Sequence, residues 1–81
     1  MMKCEQYDYI EIACMYRYLI KLTLRTGAEI VGTGIDTQRN EGREECIKMD
    51  IEGKSELIVL DSILTLEVKT DNPHFQSVTF D

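Results

Sequence analysis

The amino-acid sequence predicts a mainly β fold of the α+β class, with one N-terminal helix capping a small barrel of five or six strands. Three observations predict it. Apolar residues recur at helical spacing only near the N-terminus, and the period switches to two from Tyr18 onward. Glycines and polar turns then divide the remaining chain into short alternating segments. With 81 residues the chain has room for one domain, expected to span residues 1–81.

The helix is expected over about residues 5–16. Counted at about 100° per residue from Glu5, the residues Ala13, Ile10, Cys14 and Tyr7 fall between about 80° and 200°. Glu11, Asp8 and Glu5 fall between about 240° and 360°. One face therefore packs on a core while the other presents a row of three carboxylates. No strong N-cap residue precedes the row, although Glu5 and Asp8 sit where the helix dipole favours negative charge.

Five strands follow, over about 17–26, 28–36, 45–52, 55–60 and 63–69. In the first, Tyr18, Ile20, Leu22 and Leu24 alternate with more polar positions, and Gly27 turns the chain. Gly32 and Gly34 in the second predict a bend, a bulge or a close backbone approach. Residues 37–44 read as a polar loop. Ile47, Met49 and Ile51 mark the third strand, Glu52-Gly53-Lys54 a tight turn, and Leu57 to Leu60 the fourth. The fifth carries Leu64, Leu66 and Val68. Pro73 breaks the pattern, and the tail over 70–81 has the capacity to add an edge strand. A helix followed by five short, bent strands is the order of an SH3-like or Sm-like barrel, in which curling the sheet reduces exposed edges.

Composition excludes several functions. Fifteen acidic residues against nine basic ones give a formal net charge of -6, which disfavours binding to nucleic-acid backbones. The longest aliphatic run, Leu57 to Leu60, is far short of a membrane span, and no signal-peptide pattern opens the chain. A cytoplasmic protein without membrane contact is expected. The three cysteines form no C-x-x-C pair. On one helix, Cys4 and Cys14 would stand about 15 Å apart, too far for a disulfide. All three are expected to be free, buried thiols.

Catalysis finds little support. His74, the one histidine, lies beside Pro73 and is expected to be an exposed loop residue. No nucleophile elbow, phosphate loop, metal-ligand spacing or calcium loop is present, so no enzyme activity, cofactor or metal is expected. Carboxylates at helical spacing are far more often a solvated face than an acid pair.

An RNA pocket is the alternative reading. Leu22-Thr-Leu-Arg-Thr-Gly27 followed by Gly32, Asp36 and Asn40 resembles the first signature of Sm and Sm-like proteins, where an Asp and an Asn line a uridine pocket. Arg39 stands where that signature has an apolar residue, and no second signature follows Leu64.

A protein-binding surface is the third reading. Glu5, Asp8 and Glu11 rise about 4.5 Å per step. Tyr9 and Ile12 fall beside them at about 40° and 340°, away from the core face. An apolar and an aromatic residue within an acidic stripe have the composition of a contact surface.

The segment Cys4-Glu-Gln-Tyr7-Asp8-Tyr-Ile10-Glu11-Ile-Ala13-Cys14 resembles the opening motif of the Rho-binding antiterminators, Rof-type inhibitors of the transcription termination factor Rho. In that family a Cys-x-x-Tyr-Asp-x-(Leu/Ile)-Glu-x-Ala-Cys helix precedes an Sm-like barrel. The likeness continues through Leu22-Thr-Leu, Gly27, Asp36, Arg39-Asn40 and Leu60-Asp61-Ser62-Ile63, and departs after Thr70. The resemblance implies a protein that binds the N-terminal RNA-binding domain of Rho and keeps RNA from loading; the free protein is expected to be a monomer. On this reading Asp8 and Glu11 bond to basic residues of Rho, Glu5 steers, Ile12 contributes contact, and Arg39 with Asn40 contacts from the neighbouring loop; Tyr7 has two readings, packing in the core or reaching the interface with its hydroxyl.

Overall fold

The computed structural model describes residues 2–80. Helix α1 spans Cys4–Met15. In place of a side-chain N-cap, the Gln6 side chain accepts the Lys3 amide at 3.2 Å, half of a capping box. The C-terminus is closed more firmly. Arg17 adopts φ 53, so its amide meets the Cys14 carbonyl at 3.2 Å and the Tyr18 amide meets that of Ala13 at 3.0 Å. This is a Schellman stop, built here on an arginine rather than glycine. It turns the chain directly into the sheet and buries Tyr18.

Six strands form one antiparallel sheet: β1 Leu19–Leu24, β2 Glu29–Arg39, β3 Glu45–Ile51, β4 Lys54–Val59, β5 Ile63–Val68 and β6 Ser77–Thr79. Their order is β4-β3-β2-β1-β5-β6. The predicted helix and five strands are therefore all present, and the tail supplies the sixth strand as an edge. A 3-10 turn, Leu60–Ser62, links β4 to β5 and lies against β3. Side chains from both halves of the sheet, Ile47 and Met49 of β3 with Ile63 and Leu66 of β5, share one core with Ile10 and Ala13 of the helix. That sharing requires the sheet to curl into a small barrel-like form.

The curl originates in β2. A Cβ at Gly32 would lie 2.6 Å from the Asp50 carbonyl oxygen and 2.9 Å from Ile51 Cγ1. Only a bare backbone fits there. A bulge follows between Gly34 and Asp36. At the β3–β4 turn, Glu52 and Gly53 take φ values of 52° and 84°, the two positive angles of a type I′ hairpin. Asp50 Oδ1 accepts the Gly53 amide there at 2.9 Å.

Three expectations need correction. Residues 37–39 are not loop but the end of β2, where Thr37, Gln38 and Arg39 pair with Ile47, Cys46 and Glu45. Ile63, rather than Leu64, is fully buried, because a register shift between Thr23 and Leu24 rephases β5. Cys4 is exposed, whereas Cys14 and Cys46 are buried, since the helix turns its first residue away from the core. Among the described residues, no helix is long and apolar enough to cross a membrane.

Candidate functional site

Helix α1 has two working flanks beside its buried face. Glu5, Asp8 and Glu11 are all exposed, and none forms an ion pair among the described residues. On one flank, Cys4, Tyr7, Asp8 and Glu11 form the wall of a groove of about 720 Å³. Their spacing of three and four places them on consecutive turns of the same side. Arg39, Arg43, Glu44 and Glu45 of the β2–β3 hairpin form the facing wall, and Val59 and Asp61 lie at the end near the 3-10 turn. Four residues singled out from the sequence, Tyr7, Asp8, Glu11 and Arg39, therefore meet in one groove. Tyr7 is half-buried and also packs against the core.

The hairpin is braced from within. Arg39 Nη2 donates to Glu45 Oε1 at 3.0 Å, and Nη1 donates to the Arg43 carbonyl at 2.7 Å. Asn40 Nδ2 donates to Glu44 Oε1 at 3.2 Å, while its Oδ1 accepts the Glu44 amide at 3.0 Å. The Asn40 backbone closes the turn through the Glu44 carbonyl and the Arg43 amide. Arg43, held at φ 64, makes no side-chain hydrogen bond or ion pair among the described residues. It is the groove's available cation, and pattern alone did not distinguish it from Arg39.

The Asp36 and Asn40 pair does not converge. Asp36 lines a separate depression with Glu11, Cys14 and Arg17, and its Oδ1 accepts the Thr37 amide at 2.8 Å. Asn40 is engaged in the turn, about 13 Å further along an extended strand.

The other helix flank also differs from expectation. Ile12 is half-buried and packs against the core, and Tyr9 meets Phe75 edge-on with ring centroids 4.9 Å apart. Tyr16 stacks on His74 at 4.8 Å. The C-terminal segment packs Phe75 on Tyr9, one of the two residues that the helical wheel left facing solvent. Periodicity within a helix cannot reveal what a tail sixty residues away will cover.

Burial makes two thiols inert. Burial first, then the negative charges of Asp36 and Glu11, pushes Cys14 up to about 11 against the opposing pull of Arg17. Burial and Glu44 also raise Cys46, against a lowering backbone hydrogen bond. Neither supplies a nucleophile at neutral pH.

Residues 1–80 match the family model described as modulator of Rho-dependent transcription termination (ROF). The chain belongs to that family. A solved structure of YaeO from Vibrio cholerae O395, described as bound to magnesium, is 38% identical, with a TM-score of 0.89. The match covers 94% of this chain and 99% of that one. No curated protein sequence matches significantly. Membership of the Rof family assigns a regulatory role in Rho-dependent termination rather than a catalytic one, and implies Rho as the partner. The Rof-type assignment made from the helix motif and the barrel order agrees with both comparisons.

Proposed function

We propose that this protein inhibits Rho-dependent termination by binding the N-terminal RNA-binding domain of Rho through the acidic face of α1 and the adjoining groove, so that RNA cannot load. The observation that carries the reading is that Asp8 and Glu11 stand exposed on the groove wall with no cation paired to them. A groove that binds single-stranded RNA presents basic side chains and aromatic platforms. Carboxylates on a rigid helix form charge-assisted bonds to such Arg and Lys residues, and a net charge of -6 steers the encounter. Glu5, one turn earlier, adds to the steering. Tyr7 contributes contact from the groove wall, and Ile12 supports the helix from its half-buried position. Arg39 and Asn40 shape the hairpin, which offers Arg43 to an acidic group of the partner. The free protein acts as a monomer in the cytoplasm, where Rho meets nascent RNA.

The solved relative is described as bound to magnesium. Magnesium demands octahedral oxygen ligands, drawn from carboxylates and retained waters. Among the described residues no group of three or more His, Cys, Asp or Glu is placed to hold a metal ion.

The test mixes purified protein, Rho and labelled oligo(C). RNA should leave Rho as a protein complex forms, and the double reversal Asp8→Lys, Glu11→Lys should abolish both events while the fold persists. A ternary complex retaining RNA, or a double variant that still displaces it, would refute the mechanism.

A further inference from the structure

We propose that the C-terminal segment is a clamp on α1, with Phe75 and His74 as positioning residues for the acidic face. A twelve-residue helix is marginal by itself, so its orientation depends on what packs against it. Its buried face, Ile10, Ala13 and Cys14, fixes the contact with the barrel. Rotation about the helix axis is resisted from the sides. On the flank away from the groove, Tyr9 of α1 and Tyr16, the residue that caps its C-terminus seven positions later, receive Phe75 and His74, two successive tail residues. The two contacts therefore lie about 10 Å apart along the axis.

Hydrogen bonds brace the clamp at its other end. Asn72 Oδ1 accepts the amides of His74 and Phe75 at 2.8 and 3.1 Å, and Asn72 Nδ2 donates to the carbonyls of Thr70 and Phe75 at 2.8 and 3.2 Å. Beyond the turn, the Val68 amide meets the Gln76 carbonyl at 2.7 Å and β6 pairs with β5. Phe80 is buried, and Arg25 Nη2 donates to its carbonyl at 3.0 Å. The helix is thus tied to β5 through the tail, on the side opposite the hairpin that forms the groove's second wall.

The geometric stake is set by lever length. Side-chain tips lie about 6 Å from a helix axis, so a roll of about 20° moves them about 2 Å. That displacement separates a charge-assisted pair whose bond length is about 2.8 Å. Losing the clamp leaves the charges present but misplaced.

The affinity arm of the test rests on the acidic-helix reading above; the exchange arm does not. Amide hydrogen exchange of α1 is first compared between the full chain and Phe75→Ala with Rho absent. Exchange at Ile10 to Cys14 should accelerate by up to about tenfold, the worth of one aromatic pair, with β1 and β2 amides unchanged. Unchanged α1 exchange overturns the clamp. Binding to Rho should then show a faster dissociation rate with an unaltered association rate, because steering charge is intact. A loosened helix with unaltered dissociation overturns the positioning role. Phe75→Tyr should restore both readouts. Should Phe75→Ala fail to fold, Tyr9→Ala removes the same contact from the helix side and carries the same two outcomes. If reversal of Asp8 and Glu11 leaves Rho binding intact, the acidic-helix reading falls, and α1 exchange still decides the clamp.

Discussion

Arg39 Nη2 lies 3.0 Å from Glu45 Oε1, directly across the β2–β3 pair, so this guanidinium is engaged by its own hairpin. Its second nitrogen holds the Arg43 carbonyl, which leaves the Arg43 side chain as the groove's open cation. The two arginines of one turn therefore have separable roles.

Arg39→Ala should lower stability by about 1 kcal/mol. The ion pair is 61% and 48% exposed at its two ends and contributes little, while the bond to the Arg43 carbonyl adds about as much as an ordinary hydrogen bond. Arg43→Ala should change stability by no more than about 0.5 kcal/mol, the range of surface substitutions. Its effect should fall on Rho affinity. Urea unfolding and Rho titration of both variants check the division; equal stability losses would refute it.

Gly32→Ala should cost about 2 kcal/mol or more. The added methyl meets the Asp50 carbonyl oxygen at 2.6 Å, and a backbone atom cannot move aside as a side chain does. Gly27→Ala, at φ 94 with nothing within 4 Å, should cost only about 1 kcal/mol, for its positive φ. Thermal unfolding of the pair separates collision from conformational strain, and the ranking should not invert.

Most of the fold was legible because its signals are local. The period switch at Tyr18, the turns at Gly27 and Gly53, and the bend at Gly32 each follow from a few adjacent residues. The exposed carboxylates followed from spacing alone. What was not legible depends on distant pairing. β2 continues through Arg39 because β3 supplies partners, although its end is as polar as a loop. Tyr9 meets the tail because Phe75 returns to it, and Asn40 is drawn into the turn because Glu44 engages it.

Phe80→Ala should destabilise by about 3–5 kcal/mol, the range for emptying a buried aromatic site. Phe80 is 1% exposed and lies one residue beyond β6, with its amide on the Leu64 carbonyl at 2.7 Å. An 81-residue domain has about 4–12 kcal/mol in total, so the variant sits near the threshold of folding. Calorimetry should show a large drop in melting temperature. A drop of only a few degrees would mean that the tail contributes little to the core.

Cys4 should react readily with a thiol reagent in the native protein, and Cys14 and Cys46 only on unfolding. The same burial makes stability depend on alkaline pH. Folding raises Cys14 from its ordinary 9.0 to about 11, so the unfolded chain loses that proton first. The stabilisation is complete below about pH 9 and declines as pH rises towards about 11. Cys14→Ser should be tested alongside by urea unfolding across that range; it should remove this part of the decline. An identical decline in the variant would assign the pH dependence elsewhere.

Salt should slow association with Rho more than it speeds dissociation. Glu5, Asp8 and Glu11 are exposed and lack partner cations, so their attraction acts through solvent, where it is screened over about 8 Å at physiological ionic strength. Bonds made inside a closed groove are screened far less, which leaves the dissociation rate nearly constant. Neutralising the row as Glu5→Gln, Asp8→Asn and Glu11→Gln should reduce the association rate at low salt and flatten its dependence on ionic strength. Stopped-flow binding from about 50 to 300 mM salt measures both slopes. If the neutral variant keeps the full slope, the steering charge lies on another surface, and the helix row acts only after contact.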